Sequence, residues 1–513
     1  MSEQNRLMRG FATVGVWTLL SRVLGFIRDV LIAGFLGSGP VAEAFLIAFS
    51  LPNMFRRFFA EGAFNMAFVP MFSKKVESGE GPLEFARDAF TGLATILIVF
   101  TAIAQVFMPA LVLLMASGFA ADDRLDLATL FGRIAFPYIL FISLAALLSG
   151  VLNSTGRFVA AAAAPVLLNV LFILAVTLAY YARWDIGLTL AWAVPIAGIA
   201  QLALVWSAAA RAGYRLVPTI PRLTPELKRL AIIAAPAALA GGVVQINLLV
   251  GRNVASWTEG AIAWVNYADR LYQLPLGVVA IAIGVVLLPE LSRRLQANDD
   301  KGGQDALSRA AEVALILTIP CAIALVVIPL PMISVLFERG QFTSQDAAAT
   351  ALAVAVYGLG LPAFVLQKIF QPIYFAREDT KSPFKFALVS MLVNAGIAVG
   401  LWFYLDYIAA ALATSLAGWT MAWLLWRYSR KFGPAAELDA RFRTRLPRII
   451  AASIMMGVVL YVLQLVLGPL LSTDGWRYAA LALLLVAGGA SYGLFGRLTG
   501  AFKPSELTAA LRR

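Results

Sequence analysis

Charged side chains are concentrated in three otherwise apolar segments of this sequence. They are Arg22, Arg28 and Asp29 in the first segment, Glu43, Arg56, Arg57 and Glu61 in the second, and Asp269 and Arg270 in a later one. An ionised side chain near the centre of a bilayer costs about 2.5 kcal/mol or more, so each one needs a partner or a water-filled cavity. Because the planar guanidinium fork suits bidentate contact with phosphate, the arginines predict a wet site for a phosphorylated anion.

Ion pairing inside the protein is the alternative interpretation of these charges. Arg22 and Asp29 are two helical turns apart, and Arg57 and Glu61 form an i,i+4 pair. We therefore expect a supporting charge network of acids with Arg57, which consists of Asp29, Glu43, Arg57, Glu61 and Asp269. These acids are too few to neutralise Arg57 and all the candidate substrate-binding residues as well, which are Arg22, Arg28, Arg56 and Arg270.

The composition excludes most enzymatic chemistry. The 513 residues include no histidine and one cysteine, so the usual general base is missing, and neither a disulfide within the chain nor a thiolate metal cluster can form. No catalytic residue, metal ligand or cofactor is predicted. With 61% hydrophobic and 14% charged residues, the chain reads as an all-α polytopic membrane protein. The net charge of +12 is better explained by basic loops on one side of the membrane than by nucleic acid.

Fourteen segments are apolar and long enough to cross a bilayer. They lie at about 11–36, 42–72, 88–115, 127–152, 158–182, 187–210, 229–254, 260–291, 308–336, 347–374, 384–405, 408–427, 449–470 and 477–496. In the second segment Pro52 removes a backbone hydrogen bond just before Arg56, which predicts a bend or hinge; ordinary helix packing is the alternative.

Basic residues collect on alternate connections between these segments. One side holds only four of the arginines outside the segment interiors, Arg124, Arg183, Arg339 and Arg477, while the other side holds the large remainder, including those near both ends of the chain. Because lysine and arginine concentrate in cytoplasmic loops, both termini are predicted to be cytoplasmic.

Two parts of the chain repeat a pattern. Pro70 to Lys75 matches Pro289 to Arg294 at an offset of 219 residues, and Val166 to Asn169 matches Met391 to Asn394 at an offset of 225. A six-helix displacement preserves orientation, so we expect two parallel six-helix lobes around a central cavity. The predicted domains are 1–215, 216–440 and two further helices in 441–513. Two such lobes suit transport by alternating access.

Four strings carry a family resemblance. They are SRVLGFIRD at 21–29, AFLIAFSLPNMFRRFFAEGAFNMAFVP at 44–70, YADRL at 267–271 and FERGQFT at 337–343. The chain resembles the MurJ/MviN family, the lipid II flippases of bacterial peptidoglycan synthesis, within the multidrug/oligosaccharidyl-lipid/polysaccharide exporter superfamily.

The resemblance implies a bacterial inner-membrane flippase that moves lipid II from the cytoplasmic to the periplasmic leaflet. It implies cavity arginines at Arg22, Arg28, Arg56 and Arg270, with an acid commonly Asp at the place of Glu43. Peptidoglycan-synthesis proteins are candidate partners. The final helices, at 449–496, carry no charge in their interiors, and a groove for the lipid tail is expected there, with packing as the alternative.

Several functions remain open beside this one. A flippase for another polyprenyl-diphosphate oligosaccharide would bind the same diphosphate and is one alternative. A multidrug antiporter is another, but it would need an excess of intramembrane acids, whereas this chain has an excess of arginines. A membrane enzyme would need paired carboxylates, for which only the short loop with Asp122, Asp123 and Asp126 offers material. No P-loop is present, so a membrane potential or a coupling cation would drive transport. Asn247 and Asn394 are polar groups that could contribute to a cation site, and buried, hydrogen-bonded asparagine is the favoured alternative.

The topology can be tested with an impermeant thiol reagent and single cysteines in a Cys321→Ser background. Cysteines on the outer side should react in intact cells, at Asp122, Asp185, Glu259, Gln341 and Asp474. Those on the cytoplasmic side should not react, at Ser78, Pro218, Asp300 and Ala436. Reaction at any residue of the second group would break the fourteen-helix count.

Overall fold

The protein is helical throughout the residues that the structure describes. The structure is a computed structural model and describes residues 3–57, 63–297 and 299–502. The helices are α1 (Glu3–Leu36), α2 (Pro40–Arg56), α3 (Ala63–Ser78), α4 (Pro82–Val106), α5 (Met108–Met115), α6 (Arg124–Ala135), α7 (Tyr138–Ser154), α8 (Val159–Ala182), α9 (Ile186–Arg211), α10 (Pro225–Ala255), α11 (Ala261–Gln296), α12 (Asp300–Val327), α13 (Pro329–Phe337), α14 (Ser344–Phe375), α15 (Lys381–Leu405), α16 (Ile408–Ser429), α17 (Ala440–Leu471) and α18 (Arg477–Leu498). The all-α prediction is confirmed for these residues.

Every predicted apolar segment contains helix, because a lipid-facing backbone must satisfy its hydrogen bonds internally. In the described part of the chain, ten helices are long and apolar enough to cross a membrane. The total of fourteen crossings stays a prediction.

Four of the predicted segments contain two helices each. The second segment contains α2 and α3, the third α4 and α5, the fourth α6 and α7, and the ninth α12 and α13. Proline accounts for the last three divisions: Pro109 lies at the start of α5, Pro137 between α6 and α7, and Pro329 at the start of α13. A proline has no N–H for the carbonyl four residues earlier. Proline alone does not locate such a break from the sequence, since Pro52 and Pro195 lie inside unbroken helices.

Two of these prolines each leave a backbone carbonyl without its usual helical donor. A side chain from the other helix break donates to each carbonyl instead. Pro109 cannot donate to Gln105 O, and Pro137 cannot donate to Arg133 O. The two residues serve each other: Arg133 Nε donates to Gln105 O at 3.2 Å, and Gln105 Nε2 donates to Arg133 O at 2.8 Å. This reciprocal pair joins the α4–α5 break to the α6–α7 break and keeps both carbonyls bonded.

The first compact unit comprises the described residues of Met1–Ala263 with Arg339–Phe342. The helix α10 belongs to this unit: Lys75 pairs with Glu226 at 2.7 Å, and Ser117 Oγ donates to Asn253 Oδ1 at 2.8 Å. The close contact beside Ser117 and Asn253 requires a glycine at position 118, because a Cβ on Gly118 would lie 2.2 Å from Ser256 O. The segment Arg339–Phe342 joins the unit through Gln341 N–H, which donates to Gly34 O at 2.8 Å.

The second compact unit comprises the described residues of Trp264–Glu338 and Thr343–Arg513. A buried carboxylate, Glu312 on α12, anchors the start of α17, since Arg441 and Arg445 of α17 contact it together with Arg309 of α12 itself. Asp439 caps α17 by accepting from Phe442 N–H at 2.7 Å. The final helix α18 is tied to α12 by Tyr492 Oη, which donates to Ile316 O at 2.8 Å.

The two units share one local feature that fits the sequence repeat. In each, a long helix is followed directly by a short helix that has proline in its first turn: α4 by α5, and α12 by α13. The lobe boundaries 1–215, 216–440 and 441–513 stay a prediction. The division at Ala263 describes how the residues pack into two units and does not test those boundaries.

The structure changes one position in the proposed labelling experiment. Ala436 is buried, so the exposed Glu437 is the better labelling position on the loop before α17.

The reciprocal pair predicts a specific suppression. Gln105→Leu should lower the free energy of unfolding by about 1 kcal/mol, because Arg133 O loses its donor. Pro137→Ala should suppress that loss, because the new alanine N–H can reach Arg133 O. The measurement is a double-mutant cycle on thermal unfolding in detergent.

Pro225→Ala is the matched control, because Pro225 lies in the first turn of α10 in the same unit, at the end of that helix where Lys75 pairs with Glu226 and away from the reciprocal pair. It should be additive with Gln105→Leu. Equal coupling to both proline variants would refute the reciprocal pair.

Candidate functional site

The predicted site residues lie on three helices of the two units. Arg22, Arg28 and Asp29 are on α1 and Glu43 is on α2, in the first unit; Asp269 and Arg270 are on α11, in the second. Arg56 ends α2, and Arg57 follows it. Glu61 lies outside the described residues.

Arg28 is held in a buried polar cluster within the first unit. Its side chain is about 7% exposed, and its Nε and Nη2 donate to Asp29 Oδ1 at 2.9 and 2.7 Å. Its Nη1 donates to Asn169 Oδ1 on α8 at 3.0 Å. The guanidinium also lies 5.8 Å from the Phe49 ring centre and 5.6 Å from that of Phe172. The charge is thus neutralised by Asp29 and surrounded by a polar amide and two aromatic faces.

Asn169 organises this cluster and was not named as a site residue by the sequence. It accepts from Arg28 and its Nδ2 donates to Ser21 O at 2.9 Å, so it links two points of α1 to α8. The signal was present, because Asn169 ends the repeated string that matches Asn394, and both asparagines are buried. A buried asparagine needs hydrogen-bond partners, and spacing along the chain does not indicate which residues those partners are.

Glu43 pairs with a residue that sequence analysis placed in an outer loop. Arg124 Nη1 donates to Glu43 Oε2 at 2.8 Å, and both side chains are buried. The other carboxylate oxygen, Oε1, accepts from Ile262 N–H at 3.0 Å. Arg124 also pairs with Asp122, and this hydrogen bond holds the pKa of the Asp122 carboxyl below its usual value. Glu43 therefore forms an ion pair with Arg124, a residue 81 positions away in the sequence.

The ion pair between Glu43 and Arg124 adds residues to the charge balance predicted from the sequence. Arg124 joins the network together with a further acid, because it pairs with Asp122 as well as with Glu43. The network then holds five acids and six arginines: Asp29, Glu43, Glu61, Asp122 and Asp269 against Arg22, Arg28, Arg56, Arg57, Arg124 and Arg270. The formal excess of positive charge is therefore the same as the sequence alone indicated.

The remaining predicted arginines are more accessible than Arg28. Arg22 and Arg57 are exposed, whereas Arg56 and Arg270 are half-buried. Next to Arg270, Asp269 accepts a hydrogen bond from Gln273 Nε2, and Tyr267 is fully buried against Phe337 with the ring centres 5.5 Å apart. The string YADRL therefore combines a packing residue with two polar ones.

Pro52 lies buried inside α2, four residues before its last residue. The adjacent Asn53 bonds back to Phe49 O through Nδ2 at 2.7 Å. The hinge role of Pro52 stays a prediction.

Within the described ranges, no group of three or more His, Cys, Asp or Glu side chains could hold a metal ion. The asparagines proposed as cation ligands lie on α10 and α15: Asn247 is half-buried and Asn394 is buried. Whether a coupling cation binds there stays a prediction.

Comparisons with known proteins agree on one family. The family model described as lipid II flippase MurJ matches residues 32–474. A probable lipid II flippase MurJ of Rhizobium meliloti (strain 1021) is 47% identical over 463 residues, which is 89% of this chain and 86% of that protein. One of Rhizobium tropici is 41% identical over 517 residues, covering 99% of this chain and 97% of that protein.

Solved structures show the same fold. Lipid II flippase MurJ in an inward closed conformation matches with a TM-score of 0.79 and 27% identity, over 94% of this chain and 98% of that one. An inward-facing multidrug resistance MATE family transporter of the MOP superfamily matches with a TM-score of 0.68 and 15% identity, over 81% of this chain and 95% of that one, which bears on the fold alone. The chain is a multi-pass membrane protein and belongs to the lipid II flippase MurJ family.

Proposed function

We propose that this chain moves lipid II across the inner membrane by alternating access, with its diphosphate bound by Arg22, Arg28, Arg56 and Arg270. The observation that carries the proposal is the excess of arginine over acid on α1, α2 and α11, in a chain of this family. A diphosphate that entered hydrocarbon would lose its hydration at large cost. An arginine-lined wet cavity replaces that hydration with charge-assisted hydrogen bonds.

The arginines would differ in their roles. Arg22 is exposed and ready to meet a phosphate, whereas every N–H group named above on Arg28 already donates to Asp29 or Asn169. We infer that Arg28 binds the cargo by exchanging the Asn169 contact for a phosphate oxygen, while Asp29 keeps the guanidinium oriented. Binding would then loosen the link between α1 and α8, which couples the cargo to a helix movement.

The charge distribution argues against a multidrug antiporter. Such a transporter needs intramembrane acids that can exchange protons or cations, and here Asp29 pairs with Arg28 and Glu43 with Arg124. A flippase for a different polyprenyl-diphosphate oligosaccharide would use the same arginines, and it differs from the proposal only in the sugars of the cargo.

The apolar tail would stay outside the wet cavity, along α17 and α18. Both helices expose large apolar side chains over much of their length, such as Val458 at 58% and Val486 at 69%. Burial of tail area would contribute about 25 cal/mol per Å² and would not depend on salt. The driving force would be the membrane potential or a cation gradient, with cytoplasmic termini and peptidoglycan-synthesis proteins as further expectations.

Substitution of the arginines tests the diphosphate site. Arg22→Ala, Arg56→Ala and Arg270→Ala should each reduce lipid II flipping at least tenfold, because each removes a phosphate contact worth roughly 1.5–3 kcal/mol. The lysine variants should recover only part of the rate, because a point charge loses bidentate geometry. The measurement is complementation of a depletion strain, with membrane levels of each variant determined in parallel.

Arg497→Ala is the matched control, since Arg497 is an exposed arginine at the end of α18. It should complement fully. Full complementation by all three cavity variants at normal levels would refute the anionic-cavity mechanism.

The tail path is tested separately with cargo of two lengths. Val458→Gln should weaken binding of long-chain lipid II and leave a short-chain analogue nearly unchanged, because only the long tail reaches α17. Arg22→Ala should weaken both. Ile98→Gln, an equally exposed position on α4, is the control and should change neither. Equal losses for both cargoes in Val458→Gln would return α17 and α18 to a packing role.

A further inference from the structure

A groove of about 720 Å³ lies in the second unit between α16 and the start of α17. Its floor is formed by α12 and α14, with Leu366 and Phe370 among its lining residues. A volume of this size falls in the range of about 300–1,000 Å³ that small-molecule sites occupy. The groove includes only the first residues of α17, up to Pro447, whereas the surface proposed for the cargo tail lies farther along α17, at Val458, and on α18.

One wall of the groove is a row of tryptophans. Trp419, Trp423 and Trp426 are spaced so that they share one face of α16. Trp419 is fixed by its Nε1, which donates to Leu359 O at 3.0 Å, while Trp423 remains 55% exposed. Tryptophan is enriched where a membrane helix meets the headgroup region, because its ring is apolar and its N–H is polar. This wall therefore marks the level at which a lipid changes from chain to headgroup.

The open end of the groove carries two exposed cations. Arg430 stacks on Trp426 with its guanidinium carbon 4.2 Å from the ring centre, and Arg443 lies on the facing helix α17. Among the residues that the structure describes, no carboxylate forms an ion pair with either arginine. Glu437 is the one acid in the lining, so the rim keeps a net positive charge.

The basic residues next to Arg430 and Arg443 do have acidic partners. Lys431 pairs with Asp379 at 3.3 Å, and both Arg441 and Arg445 contact Glu312. The cations that face the groove have no such acid, although they sit within two residues of ones that do. The positive rim is thus a local property of the groove and not a general feature of this basic region.

We propose that this groove binds an anionic bilayer phospholipid, with its phosphate between Arg430 and Arg443 and an acyl chain along Phe370 and Trp423. A soluble anion would gain nothing from the apolar floor, and a zwitterionic lipid would gain little from the net charge. The bound lipid bridges α16 to α17, so it fastens the last two helices to the rest of the second unit.

Native mass spectrometry of the purified full-length protein tests the proposal with phosphatidylglycerol and phosphatidylcholine of identical chains. The unaltered protein should retain phosphatidylglycerol in preference. The double variant Arg430→Ser/Arg443→Ser should bind phosphatidylglycerol at least tenfold more weakly, because it removes both cations from the rim of the groove. Leu366→Trp, which fills the floor, should weaken both lipids.

The matched control removes two charges away from the groove. Arg427→Ser/Arg497→Ser changes two exposed arginines that do not line it and should leave phosphatidylglycerol binding unchanged. As a second readout, phosphatidylglycerol with brominated chains should quench the fluorescence of the unaltered protein more than that of Trp423→Phe.

Three results would overturn the proposal. They are equal retention of the two lipids by the unaltered protein, equal phosphatidylglycerol binding by the unaltered protein and the Arg430→Ser/Arg443→Ser variant, and stoichiometric displacement of phosphatidylglycerol by added lipid II. The last result would make the groove part of the cargo path. The first two results involve no lipid II, so they can be separated from a failure of the proposed function.

Discussion

The cost of placing a charged guanidinium in a low-dielectric region governs this structure. Contacts with Asp29 and Asn169 offset this cost for Arg28, and contacts with Glu43 and Asp122 offset it for Arg124. Each acid committed to such a pair is unavailable to the other arginines. The arginines of the predicted site still outnumber the acids, which leaves a formal excess of positive charge for an anionic cargo.

The backbone obeys a parallel constraint, because a carbonyl in a membrane helix also needs a partner. Pro109 and Pro137 each remove a donor, and the side chains of Arg133 and Gln105 replace both. Arg133 is a charged residue inside the fourth apolar segment, and its partner is a backbone oxygen at the adjacent helix break. Intramembrane arginines in this chain thus serve two purposes, and only their contacts tell them apart.

Sequence analysis could predict what depends on nearby residues. Apolar runs gave the helices, and arginine strings gave the candidate site and the family, because both are local patterns. It did not find the Glu43–Arg124 pair, since those residues are 81 apart and Arg124 looked like a loop residue. It also passed over Glu312, whose three arginine partners come from both ends of a long stretch of chain. Such contacts depend on packing between distant helices, which spacing along the chain cannot show.

The central claim is that this protein recognises the charge of the cargo's diphosphate. The most direct test reconstitutes the purified protein in liposomes and compares fluorescent lipid II with an analogue that has the same sugars, peptide and tail joined by an uncharged linker. Arrival in the opposite leaflet is followed by quenching with an impermeant reductant. The account predicts protein-dependent transfer of lipid II and transfer of the neutral analogue at the protein-free rate. Equal protein-dependent transfer of both would contradict it.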